Sequence, residues 1–288
     1  MLGTKPREVS FGGARNRGAM KFVVSAVALC VTALLAGCGG GGSAPGADVT
    51  IAGSTAMLPL VKQAAQDYET AHPDARVSVS GGGSRVGITQ AAQKGADIGD
   101  SDIVAPDEPS LIDHHVAAVT FAVIVNAQSR VTRLTRSQIH DVFTGKVTNW
   151  KAVGGADQTI SIINRPDSSG TRAVFVSNVM GGVQPLAASM TEDSSGTVAA
   201  EVAQTPGATS YVATSYIRSP QIAAVSIDGV APTTANVIAG KYAFWSYEHM
   251  FTQGAPSKAA AAFIAYVVND TAALNSLGFI PVSKLKAP

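Results

Sequence analysis

Charge is scarce in this 288-residue chain: Asp, Glu, Lys and Arg together make up 14% of it. No basic run stands out, and nucleic-acid binding needs a clustered electropositive footprint, so nucleic acid is excluded as a partner. Cysteine is nearly absent. Cys30 and Cys38 both fall in or just after an N-terminal apolar segment, so the rest of the chain can build neither a disulfide nor a cysteine metal site. His114, His115, His140 and His249 stand at no metal-ligand spacing and read as surface or core residues; no metal and no cofactor is expected. There is no GxSxG elbow and no His–Asp pairing after the serines, which argues against a hydrolase. No long-period repeat occurs. The leading apolar run, 22–36, has about 15 residues, short of the ~20 that a membrane span needs.

What is present is apolar and glycine-rich: 46% hydrophobic residues and 29 glycines. That is ample for a core, even for two lobes, and suits an α/β protein with many tight strand–helix turns. Whole-chain charge is +1, but five of the 21 bases and one of the 20 acids precede Cys38, which leaves the body at −3. An anion bound by such a body is held by local geometry rather than by overall field.

Residues 1–19 are polar, and Met20 is a possible true start. Lys21 and the apolar run 22–36 have the form of a secretory signal. The run ends Leu35-Ala36-Gly37-Cys38, which resembles the bacterial lipoprotein cleavage box. The resemblance implies a signal peptide over 1–37, cleavage before Cys38 and lipid on its sulfur, hence a lipid-anchored extracytoplasmic protein in the periplasm or at the cell surface. The Gly/Ser/Pro-rich stretch 38–47 reads as a flexible tether.

The body begins at Asp48 and repeats one unit: β-prone run, Gly/Ser turn, helical pattern. Strands are expected at 49–52, 76–80, 97–99, 116–126, 159–163 and 223–227. Helices are expected from just after Ala56 to Ala71 with Pro59 near the first turn, and at 86–94, 134–143, 173–180, 197–204 and 257–269. The apolar run 116–126 reads as a buried strand passing between lobes, and the aromatic stretch 242–251 as packing at a crossover. The organising stretch is Asn164-Arg165-Pro166-Asp167-Ser168-Ser169-Gly170-Thr171-Arg172. Hydroxyls at a helix start cap free N–H groups, those N–H groups and the helix dipole bind anions, and arginine adds a planar fork of donors. With the turns at 53–55 and 81–84, three helix N-termini could converge on one small tetrahedral oxyanion. Ser194-Ser195-Gly196-Thr197 repeats the letters of this motif and reads as another capped helix, not a second site.

Six stretches, AGSTAMLPL (52–60), SGGGS (80–84), IGDSD (98–102), VFTGKVTNW (142–150), NRPDSSGTR (164–172) and WSYEHM (245–250), resemble the phosphate-binding proteins of bacterial phosphate ABC transporters. Each is weak alone; all six in order are specific, and the likeness runs over 49–283. It implies a two-lobed, type II periplasmic-binding-protein fold of class α/β, its ligand cleft between lobes joined by crossing strands. Lobe one would comprise 48–126 and 241–288, and lobe two 127–240. It implies a monomeric, non-enzymatic receptor that binds inorganic phosphate and delivers it to membrane permease subunits. Carried over position by position, the phosphate ligands would be Ser54, Thr55, Ser84, Ser101, Asp102, Arg165, Ser169, Gly170, Thr171 and Arg172, with Asp167 orienting Arg165. Arg85 stands where smaller residues are common and reads as a ligand contact or a solvent-facing residue. Thr209-Ser210-Tyr211 replaces the family's Ile-Gly-Tyr, which leaves that local geometry open. Asp102 would accept the proton of hydrogen phosphate and so reject sulfate, which has none. The competing readings are a sensor or adhesion lipoprotein on the same fold, and a binder of another tetrahedral oxyanion.

Overall fold

The computed structural model describes residues 48–187 and 190–285. The signal segment, Cys38 and the tether lie outside them. The chain opens with β1 (Asp48–Gly53), α1 (Leu58–Ala71), β2 (Arg76–Ser80), α2 (Ser84–Ala92), β3 (Ile98–Ser101) and the long β4 (Leu111–Asn126). It continues through β5 (Arg133–Leu134), α3 (Arg136–Phe143), β6 (Ser161–Asn164), α4 (Gly170–Asn178), β7 (Met190–Thr191), α5 (Ser195–Gln204), β8 (Ala208–Ala213), β9 (Ile222–Ala224), β10 (Ser226–Ile227) and α6 (Thr234–Ile238). It returns through β11 (Trp245–Gln253), α7 (Lys258–Asn269), α8 (Thr271–Ser276) and β12 (Phe279–Ile280).

The main sheet runs β2-β1-β3-β11-β4-β8-β6-β7, with β9 and β12 also paired to β4. One strand therefore serves both halves. Thr120 of β4 pairs with Trp245 of β11, and the next residue, Phe121, pairs with Ala213 of β8. From Val116 to Asn126 every residue of β4 is buried, which is why this segment is apolar without alternation. β1 lies between β2 and β3, parallel to both. Their carboxyl ends consequently meet along one edge, where α/β sheets bind ligands.

Local sequence explains most element boundaries. In α1 the buried positions Leu60, Val61, Ala64, Ala65 and Tyr68 form one helical stripe, with Pro59 in the first turn, where its missing N–H costs nothing. The helix starts at Leu58, directly after a turn over residues 55–57. α3 begins at Arg136 behind a Thr135/Gln138 capping box, and Leu134, expected in the helix, belongs to β5. The strand expected over 223–227 is two strands: the Val225 N–H still bonds β4 at Val123 O (2.9 Å), but the Ser226 N–H bonds Thr132 O (2.9 Å), so the chain leaves one sheet for another. Thr209-Ser210-Tyr211 lies inside the buried β8 with its polar groups satisfied. Thr209 Oγ1 donates to Ile124 O (2.9 Å), Ser210 Oγ to Ile163 O (2.7 Å) and the Tyr211 hydroxyl to Asn164 Oδ1 (3.0 Å).

The core beneath the second half of the sheet centres on Phe175. Its ring stacks on Tyr211 at 4.1 Å and meets Phe143 at 4.8 Å and Phe244 at 5.5 Å. Removing a fully buried phenyl group leaves a cavity as well as losing transfer energy. Phe175→Ala is therefore expected to lower unfolding stability by about 3–5 kcal/mol, read as a drop in the urea midpoint.

Candidate anion-binding site

The turns after β1, β2 and β3 lie side by side at the edge of the sheet. Close backbone approach sets their geometry. A Cβ on Gly53, whose φ is +140°, would lie 2.1 Å from Asp100 O. The next N–H, of Ser54, donates to that same carbonyl at 2.9 Å. Asp102 is buried where the turns meet. Its carboxylate accepts hydrogen bonds from the hydroxyls of Ser54 and Thr171 (the latter at 2.8 Å), and its own N–H donates to Ser84 Oγ at 2.9 Å. A carboxylate offers about four lone-pair sites, so acceptor capacity remains.

The other half of the sheet contributes the start of α4. Ser169 is its N-cap, its Oγ accepting the Arg172 N–H at 3.2 Å. Gly170 packs so tightly across the seam that a Cβ there would lie 2.1 Å from Ser84 Oγ. The halves also touch where the Arg85 N–H donates to Ser168 O (3.1 Å) and Arg85 Nε to Asp167 O (2.9 Å).

Arg165 is 1% exposed. Its Nε donates to Glu192 O (3.0 Å), and its Nη2 to Asp193 O (2.9 Å) and Thr55 Oγ1 (3.1 Å); Nη1 is 3.4 Å from Ser195 Oγ. Among the described residues no carboxylate lies within ion-pairing distance of it. Burial pulls the guanidinium below its ordinary pKa, and Tyr211 and Asp102 pull the other way. A buried cation held by neutral groups leaves charge for an anion to neutralise.

The structure thus brings Ser54, Thr55, Ser84, Asp102, Arg165, Ser169, Gly170 and Thr171 together. Ser101 is adjacent, but its hydroxyl is used within its own turn, donating to Ile103 O at 2.6 Å. Arg172 turns outward: its guanidinium bonds Arg165 O (2.5 Å) and Gln184 Oε1 (3.1 Å) and lies 3.4 Å from Asp167 Oδ1. The expectation that Asp167 orients Arg165 is therefore wrong. The Asp167 side chain is 90% exposed and pairs with Arg172, while backbone carbonyls at the entry to α5 hold Arg165. Arg85 is exposed and bridges the seam rather than entering the ring. Ser195 is an addition. Its Oγ lies 3.0 Å from Thr55 Oγ1 and its N–H donates to that oxygen at 3.1 Å, so the helix read as separate joins the same site. The repeat of the Ser-Ser-Gly-Thr letters was the available signal.

The match to known proteins agrees with this geometry. Residues 40–271 match the model of the PBP superfamily domain. The phosphate-binding protein PstS of Bacillus subtilis is 42% identical over 246 residues, covering 83% of this chain and 82% of that protein. The chain belongs to the PstS phosphate-binding protein family. A Clostridium perfringens substrate-binding protein solved with bound phosphate is similar at TM-score 0.77 and 29% identity, over 82% of this chain and 99% of that one. An ABC-type phosphate transport receptor from Vibrio cholerae is similar at TM-score 0.64 and 28% identity, over 81% and 99%. The fold is the two-lobed type II periplasmic-binding-protein fold, with β4 crossing between lobes.

This PstS-family site has a backing that sequence reasoning passed over. Behind Asp102 lie two further buried acids, Asp100 on β3 and Glu248 on β11. Neither Glu248 oxygen has a donor partner, nor does Asp100 Oδ1. Burial, then the neighbouring Asp102, pushes both carboxyls well above the usual carboxylate range. With no donor beside it and Asp102 and Asp100 close by, the Glu248 carboxyl favours its neutral form. Glu248 sat within a stretch of family resemblance but in a strand, where nothing in the spacing marks a buried acid. For a carboxyl whose folded pKa is raised, the stabilising contribution is full below the unfolded value and is lost as pH rises through the folded one. Glu248→Gln mimics the protonated form, so the variant's stability relative to the parent is expected to grow as pH rises above about 4.5, checked by urea titrations from acid to mildly alkaline pH.

Proposed function

We propose that this chain is an extracytoplasmic receptor that captures inorganic phosphate between its lobes and delivers it to the permease of an ABC importer. The observation that carries the proposal is Arg165, a buried guanidinium with no ion-paired carboxylate among the described residues, ringed by Thr55, Ser195 and the turns that hold Asp102. Arg165 supplies charge. Ser54, Thr55, Ser84, Ser169, Gly170 and Thr171 supply hydroxyls and helix-start N–H groups. Ser101 and Arg172 act indirectly, one closing the 101–103 turn and the other bracing the loop before α4. Asp102 is the one acceptor in a ring of donors, and it takes the proton of hydrogen phosphate. Sulfate would meet that carboxylate with charge against charge. Binding is the whole activity: the protein presents solute and catalyses nothing.

The lobes run 48–126 with 241–288 and 127–240 in this reading, and phosphate draws them together at the seam between Gly170 and Ser84. The Arg85 bonds to Ser168 and Asp167 are then the latch of the closed form. Phosphate is expected to raise Tm and lower the radius of gyration, with sulfate at matched ionic strength doing neither. Asp102→Asn should lose about 30- to 1,000-fold in phosphate affinity, the range for a buried charged hydrogen bond, and gain response to sulfate. Equal response of the parent protein to both anions, by calorimetry, would reject the selectivity role.

The Cys38 sulfur carries the lipid that tethers this monomer to the membrane. Among the described residues no helix is long and apolar enough to cross one. Cys38→Ala expressed in a bacterial host should move the protein from the membrane to the soluble fraction and run as a monomer; unchanged fractionation refutes the anchor.

A further inference from the structure

A second cluster of chemistry-bearing side chains lies away from the anion ring, on the face shared by β4 and β11. Asp113 and His115 are two residues apart on β4 and so point to the same side. His249 joins them through an irregularity in pairing. Glu248 opposes Ala117, but His249 opposes His115, so Val116 is skipped. Without that bulge Met250 would face His115. Bulges re-aim side chains, and this one places two imidazoles opposite each other.

The donor atoms converge. His249 Nδ1 lies 2.9 and 3.0 Å from the two Asp113 oxygens, and His115 Nε2 lies 3.3 Å from Asp113 Oδ2. One ligand atom from each residue falls within 4.8 Å of the other two. Tetrahedral zinc, with donors at about 2.0–2.1 Å, sets them roughly 3.3 Å apart. The rings are held. His249 is buried and stacks on Phe251 at 5.5 Å, and His115 stacks on Tyr247 at 4.9 Å. Both histidines line a cleft of about 830 Å³ that also reaches Asp102.

We propose that Asp113, His115 and His249 bind a divalent transition cation of the zinc type on the wall of this cleft. Two imidazoles and one carboxylate suit zinc and its neighbours better than calcium or magnesium, which take oxygen ligands. Three protein donors leave a fourth coordination position for water or a solute from the cleft. The expectation of no metal rested on spacing along the chain, and here ligands 136 residues apart are joined by strand pairing. The site is independent of the phosphate reading.

The test uses the full chain without an affinity tag, stripped with chelator and kept free of phosphate. Zinc is titrated by calorimetry, and cobalt is added as a spectroscopic probe. One saturable cation per chain is expected, with the visible absorption of tetrahedral cobalt. His115 is exposed, so His115→Ala keeps the fold while weakening zinc at least about 10-fold, the minimum loss when even an outer-shell partner is removed. Asp113→Asn should weaken it likewise, and His114→Ala, on the opposite face of β4, should leave it unchanged. No saturable binding, or binding that survives both His115→Ala and Asp113→Asn, overturns the proposal and leaves the cluster an ion-pair triad.

Discussion

A guanidinium removed from water without a carboxylate beside it is the constraint around which this molecule is arranged. The hydrogen bonds of Arg165 go to neutral oxygens: carbonyls from the approach to α5, and the hydroxyls of Thr55 and Ser195. Those oxygens come from both halves of the sheet. Glu192, Asp193 and Ser195 lie on the same half as Arg165, and Thr55 reaches it from the other, so the guanidinium sits on the seam. An anion completes the set.

Acidic groups set the other boundary. Asp102 stands among donors on the ligand side and among acids on the other, and the acids behind it are uncomfortable as anions. Neutral Asp100 and Glu248 leave Asp102 as the charged acid of this cluster, which lessens like-charge repulsion beside the buried Arg165. Glu248 is held there by β11, which is paired on both sides, with β3 and with β4.

Much of this was legible in the chain. Glycine–serine turns after β-prone runs located three of the converging corners, and the NRPDSSGTR stretch located the arginine and the capped start of α4. The buried stripe of α1 and the unbroken apolar run of β4 followed from periodicity alone. What could not be read was pairing across sequence distance. Asp167 lies two residues from Arg165 and invited a local partnership, but Pro166 and the turn send it to solvent, and Arg165 is seated by carbonyls nearly 30 residues on. Ser195 enters the ring because α5 approaches from the second lobe. The skipped Val116 leaves no mark in composition, yet it decides which side chain His115 faces.

The uninterrupted β4 has a mechanical meaning. Its hydrogen-bonded partner changes between Thr120 and Phe121 with no loop residue between them. A joint made of loop swings freely and stores little; one made of paired strand behaves like a leaf spring. Any displacement of one half of the sheet against the other is taken up there as bending and twisting of a paired strand.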